Sequence, residues 1–213
     1  MKKKLHLVIT AGGTREYIDP VRFISNASSG RMGYALAQAA LKAGHRVTLI
    51  TAPTALKPPK GASIVSVETS EQMYRAVRAA FDGCDGLIMA AAVSDYRPEQ
   101  TCVRKLKKQK ADLVLRLVPT RDILAWAGRR KRPGQRVCGF ALEDQNILEN
   151  ADRKMRRKKL DMIVANAPAA IGATASTLYV KTRGGDWKTF KNVSKARSAA
   201  TLISLIEQLF DRG

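Results

Sequence analysis

The chain has 213 residues, 45% hydrophobic and 26% charged, which excludes a disordered or low-complexity chain and suits one sizeable folded core, a single domain over 1–213. Its formal net charge of +20 calls for an anionic partner: nucleic acid, an anionic membrane surface or small phosphorylated substrates. Composition alone leans towards nucleic acid and cannot choose among the three. Cys84, Cys102 and Cys138 form no C-x-x-C pair, and His6 and His45 are not spaced as ligands, so neither disulfides nor a transition-metal site is expected. The basic start leads straight into a strand pattern rather than a signal peptide, and no apolar run approaches a membrane span, so a cytoplasmic location is expected.

Taken in chain order, an apolar, β-branched run over 7–11 predicts a buried strand, broken by Gly12 and Gly13. After a long polar crossing, Ser28, Ser29 and Gly30 lead into a helix. Met32, Ala35, Leu36, Ala39 and Ala40 share one of its faces, and Gly44 stops it. A small-residue loop between a first strand and a helix N-terminus presents N–H groups and partial positive charge to an anion. It spells neither G-x-G-x-x-G nor the ATPase phosphate loop, so an ordinary strand-to-helix turn stays open beside that reading.

Strands are predicted over 46–51, 63–67 and 86–92, with a helix between the last two opened by the capping-box pair Thr69 and Gln72. Residues 93–110 are polar and then heavily basic, the mark of a functional loop inside a compact domain. Strands over 113–118, 137–141 and 162–165 alternate with helices over 122–127 and 147–159. A hairpin over 177–191 turns at Gly184-Gly185, and an amphipathic helix through Leu202, Ile206 and Phe210 closes the chain. The alternation predicts an α/β fold: a doubly wound, Rossmann-like parallel sheet with a C-terminal hairpin and helix.

Several strings carry more than their geometry. ITAGGTRE, IDPVRFISN and SSGRMG, then AAVSDYRP, KLKK, DIL, GFALE and KLDMIVAN, closely resemble in order and spacing the phosphopantothenate–cysteine ligase family, the synthetase half of the bacterial coenzyme A bifunctional protein. The likeness covers nearly the whole chain and is densest from Val8 to Asn166. By itself Asn26 is a turn or cap residue; the resemblance implies that its amide helps hold the acyl-nucleotide intermediate, beside Ser28, Ser29 and Gly30 as substrate contacts. Asp95, just past a strand end, would otherwise be a solvated loop carboxylate; the resemblance implies a nucleotide contact, with backbone contacts from Ala91, Gly12 and Gly13.

The run Lys105-Leu106-Lys107-Lys108 is by default a solvated basic face. A nucleotidyl transfer nevertheless needs cations where charge builds on the α-phosphate. The resemblance makes Lys105 the catalytic stabiliser, with Asn26 the other catalytic residue. Asp122, Ile123, Leu124 and Phe140 are by default a helix-end carboxylate and core residues; by resemblance they line the nucleotide pocket. Lys154 and Lys158, four apart on one helix face, would contact the triphosphate. Two departures stand out. Arg121 replaces the family's proline before Asp122, and the 169–176 segment lacks the family's carboxylates.

The activity so implied joins 4′-phosphopantothenate and L-cysteine through an acyl-nucleotide, with CTP as co-substrate and Mg2+ as cofactor at residues the sequence does not name. The partners are those small molecules rather than nucleic acid or membrane, and the family's dimers imply a homodimer with the 177–191 hairpin as an interface element. No flavin-binding decarboxylase half precedes residue 1, so a stand-alone synthetase is expected. Two rivals remain. A nicotinamide oxidoreductase lacks a ribose-binding carboxylate after Thr51-Ala52-Pro53 and a Tyr–Lys pair four apart. An RNA-binding protein would suit the charge but lacks aromatic-rich recognition strings, aromatics being 6% of the chain.

Overall fold

The computed structural model describes residues 3–108, 110–170 and 173–211. Gln109 of the basic loop, and Ile171 and Gly172 of the carboxylate-free segment, lie outside the described residues. From the start, the chain runs β1 (His6–Ala11), β2 (Arg15–Tyr17), β3 (Phe23–Ser25), α1 (Arg31–Lys42), β4 (Arg46–Thr51) and β5 (Ser63–Ser66). Next come α2 (Ser70–Phe81), β6 (Gly86–Met89), β7 (Tyr96–Pro98), β8 (Leu117–Pro119), α3 (Ile123–Arg130) and β9 (Arg136–Leu142). The chain ends with α4 (Ile147–Arg157), β10 (Met162–Asn166), a 3-10 turn (Pro168–Ala170), β11 (Ala175–Thr182), β12 (Lys188–Ser194) and α5 (Lys195–Asp211).

One eight-stranded sheet has the order β12-β11-β10-β9-β6-β1-β4-β5. From β10 to β5 every neighbour pair is parallel, and the C-terminal hairpin adds β11 and β12 antiparallel at one edge. Strand order reverses between β1 and β6, the switch point at which open α/β sheets bind ligands. β1 is largely apolar because it is covered on both faces: Leu7, Ile9 and Ala11 pack with α1 and α5, and Val8 with the layer of α2, α3 and α4.

Local rules seat the elements. Thr69 accepts from Gln72 N–H while Gln72 Oε1 accepts from Thr69 N–H, each at 3.2 Å, the expected capping box of α2. Gly33 lets α1 lie directly on β1, since a Cβ there would stand 2.5 Å from that of Ala11. Among the described residues no helix is long and apolar enough to cross a membrane.

Three expectations are corrected. The crossing after Gly13 is a two-stranded hairpin, β2 with β3, closed by Asp19, whose carboxylate accepts from the Val21 and Arg22 N–H groups. The strand expected over 113–118 does not join the main sheet. Its apolar alternation finds no core to face, leaving Val114 88% exposed, and only β8 forms, paired antiparallel with β7. β6 ends at Met89 rather than at 92, because Ala91 and Ala92 leave the ladder to bond with Thr10 at the end of β1 and with the loop after it.

Candidate functional site

The loops that leave β1 and β6 are stitched together. Thr10 Oγ1 accepts from Ala91 N–H at 3.1 Å, Ala92 N–H donates to Gly12 O at 2.8 Å, and Thr14 N–H donates to Ala92 O at 3.2 Å. Thr14 and Ser94 are buried; Thr14 Oγ1 accepts from Ser94 N–H at 2.9 Å, and Thr120 Oγ1 donates to Ser94 O at 2.6 Å. Asn26 completes the seam, its Nδ2 donating to Ala92 O and Val93 O at 3.3 Å each. The seam is a fixed floor, because it satisfies strand-end backbone groups that a loop would otherwise leave to water.

Over that floor lies a cleft with two connected ends. The wider end, about 460 Å³, is lined by Asn26, Ser28, Ser29 and Gly30 among others. The narrower, about 170 Å³, is lined by Asp122, Ile123, Leu124 and Lys158 among others. Ala91, Val93, Asp95, Phe140 and Lys154 line both, and so form the waist. The chain thus brings together twelve of the expected site residues from five separate stretches: Asn26, Ser28–Gly30, Ala91, Asp95, Asp122–Leu124, Phe140, Lys154 and Lys158.

Three expected residues line neither end. Gly12, at φ +82°, lies behind the cleft, where a Cβ would meet Ala52 O at 2.8 Å, and Gly13 passes close to Asn26 O. Their service is to let the backbone pass. Lys105 is exposed on the loop before β8. That loop is tied to the β2–β3 hairpin rather than to the cleft: Leu106 N–H donates to Asp19 Oδ2 at 3.1 Å, and Arg22 donates to Leu106 O at 2.9 Å.

The two lysines of the α4 face are held differently. Lys154 Nζ donates to Phe140 O at 2.9 Å, and burial, with the nearby Lys158 charge, holds its pKa below the ordinary lysine value. Lys158 Nζ pairs with Asp122 at 2.8 Å, and Asp122 also caps α3 by accepting from Ala125 N–H at 2.9 Å. Burial pushes the Asp122 carboxyl up, but the Lys158 and Ala125 hydrogen bonds and the Lys158 and Arg157 charges outweigh it, so its pKa lies below the usual carboxylate value. Crowded cations on α4 are thus collected in part by the protein's own carboxylates, as Asp152 also collects Arg156 at 2.5 Å and Lys181 at 2.7 Å.

Asp95, unlike Asp122, forms no ion pair among the described residues, and no group of three or more His, Cys, Asp or Glu stands ready to hold a metal there. Burial, with the Asp85 charge, pushes the Cys84 thiol up to about 12, and burial raises Cys138 as well, so neither supplies a thiolate near neutral pH. Sequence reasoning missed the supports Thr14, Ser94 and Thr120, and the cleft residues Arg31, Leu142, Asn166 and Lys195. Most adjoin quoted strings, in GGT, VSD, SGR and IVAN; Lys195 follows the hairpin and carried no signal of its own.

Comparison with known proteins bears on the family and the fold. A family profile described as the DNA/pantothenate metabolism flavoprotein C-terminal domain matches residues 2–210. The chain is 47% identical over 169 residues to the coenzyme A biosynthesis bifunctional protein CoaBC of Bacillus subtilis (strain 168), covering 79% of this chain and 41% of that protein. It is 41% identical over 203 residues to a protein of an unknown prokaryotic organism named cysteine/cysteine sulfinic acid decarboxylase, covering 93% of this chain and 56% of that one. The chain therefore spans about half the length of these curated relatives. The crystal structure of the C-terminal domain of a CoaBC protein superposes with a TM-score of 0.86 at 36% identity, covering 100% of this chain and 98% of that one. The chain belongs to the family of the DNA/pantothenate metabolism flavoprotein C-terminal domain.

Proposed function

We propose that this chain is one phosphopantothenate–cysteine ligase domain of coenzyme A biosynthesis, acting in the cytoplasm with CTP as co-substrate. One observation carries the reading: Asn26, Asp95 and Phe140, drawn from three family-like strings, line one cleft at the β1–β6 switch point together with Lys154 of the α4 face. The relatives named for coenzyme A biosynthesis support it.

In the proposed reaction a carboxylate oxygen of 4′-phosphopantothenate bonds to the α-phosphorus of CTP. The bond from that phosphorus to its bridging oxygen breaks, and pyrophosphate leaves with the electron pair. The cysteine amine then bonds to the acyl carbon, CMP leaves with the acyl–oxygen pair, and the nitrogen gives a proton to solvent. Splitting the condensation this way replaces one hard step with two easier ones. Asp122, Ile123, Leu124 and Lys158 hold the nucleotide at the narrow end, while Ala91, Asp95, Phe140 and Lys154 hold the reacting groups at the waist. Asn26 keeps the floor at fixed spacing and offers its amide to the acyl-nucleotide. Mg2+ would be held by phosphate oxygens with the unpaired Asp95 beside them, where it supplies charge neutralisation. Lys105 reaches the α-phosphate only when its loop swings over the cleft.

A homodimer is part of the same reading. Val21, Phe23, Tyr96, Leu113 and Leu117 leave large apolar surface exposed on the β2–β3 hairpin and the 96–119 arm, which suits cover by a second copy better than the hairpin of β11 and β12 does. Pyrophosphate release, measured with phosphopantothenate, cysteine, Mg2+ and either CTP or ATP, tests the activity. Release that is faster with CTP is expected; no release with either nucleotide overturns the reading. Tight NADPH binding would point to the oxidoreductase instead, and salt-dependent RNA affinity without turnover to a nucleic-acid binder.

A further inference from the structure

The net charge of +20 is far more than the cleft engages, since few of the 38 lysines and arginines line it. Others gather at the opposite edge of the sheet, where β9 and β10 begin. There α3 ends in Arg129 and Arg130, and α4 ends in Arg156 and Arg157, followed by Lys158 and Lys159. The two helix ends touch: a Cβ on Gly128 would stand 3.5 Å from Lys159 O. Arg183, in the turn after β11, donates to the same Lys159 O at 2.9 Å. Arg129, Arg130, Lys159 and Arg183 thus come from three stretches of chain to one place, and all are exposed, as is Arg157.

Two helix C-termini explain why cations are tolerated here, because the partial negative charge of each end favours them. They do not explain why so few are neutralised. Asp161, a buried carboxylate at this edge, is engaged by Lys131, whose Nζ lies 2.6 Å from both its oxygens, and by Arg183 at 3.7 Å. Burial holds the Lys131 pKa below the ordinary lysine value, and the Arg183 and Arg136 charges push the same way against Asp161. The side chains of Arg129, Arg130, Arg157 and Lys159 form no hydrogen bond or ion pair among the described residues. Nor is any large apolar side chain exposed on these segments, so the face lacks the anchors that protein interfaces and membrane surfaces use. Exposed arginines without apolar anchors match a line of phosphates, which is held by charge and paired hydrogen bonds.

We propose that this edge binds the phosphate backbone of a nucleic acid duplex through Arg129, Arg130, Arg157, Lys159 and Arg183, leaving the cleft free. Such binding is a second activity of the chain and stands apart from the ligase reading. Contacts made to phosphates alone carry no base readout, so affinity would be indifferent to sequence and steep in salt.

Fluorescence anisotropy of labelled duplexes, DNA in one arm and RNA in the other, titrated with the protein between about 50 and 200 mM salt, tests this. With five cations engaged, log Kd should rise with log salt at a slope of about four to five, and binding of either duplex in this manner sustains the proposal. Arg129→Gln with Arg130→Gln and Lys159→Asn removes three charges, asparagine being suited to the left-handed backbone of Lys159 at φ +54°. This variant should bind about tenfold or more weakly and lose about three from the slope, with pyrophosphate release as in wild type. Lys42→Gln with Lys57→Gln and Lys60→Gln, exposed at the end of α1 and in the loop before β5, removes the same charge and should bind as wild type does. Equal weakening in the two variants would reduce the effect to net charge and overturn the proposal. Displacement of the duplex by saturating CTP would overturn it too, by placing the duplex in the cleft. Stronger capture by anionic vesicles or polyglutamate than by either duplex would overturn it in favour of a membrane or an acidic protein. Formaldehyde cross-linking of the wild-type chain to the duplex depends on no variant: cross-linked peptides should fall within 129–132 and 153–159, and cross-links confined elsewhere end the proposal. Absence of ligase turnover would leave the duplex result standing, so the two readings fail separately.

Discussion

The floor of the cleft and the basic loop beside it are both assigned to the same phosphate chemistry, yet they are built in opposite ways. The floor is stitched by hydrogen bonds among Thr10, Gly12, Thr14, Asn26, Ala91, Ala92 and Ser94, and rests on a β1 whose apolar residues are fully buried. In the loop, Val103 is 90% exposed, and the ties run to the β2–β3 hairpin: Cys102 N–H to Ile18 O and Thr101 Oγ1 to Tyr17 O, both at 2.9 Å. A segment with few buried contacts opens at low cost, which is where closing elements of active sites are found. On the proposed reading, substrate position would be set by strand ends, while the transferring charge would be delivered by a loop tied to the β2–β3 hairpin.

Removing the delivered charge should give the largest effect. Lys105→Gln is expected to cut pyrophosphate release by roughly 10²- to 10³-fold, the scale for losing one transition-state charge contact. Its thermal midpoint should stay at the wild-type value, since an exposed side chain away from such features contributes within about 0.5 kcal/mol. Near-normal release would end the role assigned to Lys105 and leave catalysis to the floor.

Asn26→Asp attacks the other side of the contrast. A carboxylate would face the Ala92 and Val93 carbonyls where an N–H donor now stands, so both the seam and the grip on the acyl group suffer. Amide formation should fall by about tenfold to a hundredfold, more than pyrophosphate release does, and the thermal midpoint should drop. Equal losses in the two half-reactions, with no change in melting, would show that Asn26 neither braces the floor nor holds the intermediate.

The sequence made the floor legible and the loop much less so, for a physical reason. Strands β1, β4 and β9 are buried on the sheet and must be apolar, and their helices carry caps and stops, so burial and local chemistry agree along 7–11, 46–51 and 137–141. The β2–β3 and β7–β8 ladders have three-residue strands with partly exposed faces, and so print no period. The alternation over 113–118 misleads because its partner β7 offers no core. Among site residues, Asn26, Asp95 and Phe140 stand in quoted strings, and Lys154 is marked by its four-residue spacing to Lys158. Lys195 becomes visible only when α5 is brought beside α1, a contact between the two ends of the chain.

The joint between hairpin and loop is itself titratable. Asp19 is buried; its hydrogen bond from Arg22, then the N–H groups of Val21, Leu106 and Arg22, hold its carboxyl far below the usual value against the opposing effect of burial. A depressed folded-state pKa contributes stability that is complete above the unfolded value of about 3.9 and is lost as pH falls through the folded one. Cleavage within the 99–116 loop by an acid-active protease should therefore rise as pH drops below about 4, while the main sheet stays protected. Asp19→Asn should show fast loop cleavage even at pH 4, near the unfolded carboxyl value, and little further change below it. An unchanged acid profile in that variant would mean the loop is held by something other than this carboxylate.

The smallest effect is expected where the chain departs from its family's pattern. Arg121 stands where a proline would pre-set the approach to α3, and its guanidinium instead reaches back to α2. It lies 3.4 Å from Glu71 Oε2 and 5.0 Å from the centre of the Tyr74 ring. Both contacts are at the surface, where an ion pair and a cation–π contact each contribute about 1 kcal/mol or less. A proline would lose them and regain about 0.4–1 kcal/mol by restricting the unfolded chain, provided its φ suits the site. The two changes nearly cancel, so Arg121→Pro should move the thermal midpoint by only a few degrees. Arg121 also lines the narrow end of the cleft, so KM for CTP is the sensitive readout. A change below threefold means that α3 is set by the Asp122 cap and the Lys158 pair alone; a larger rise makes Arg121 a phosphate contact peculiar to this chain.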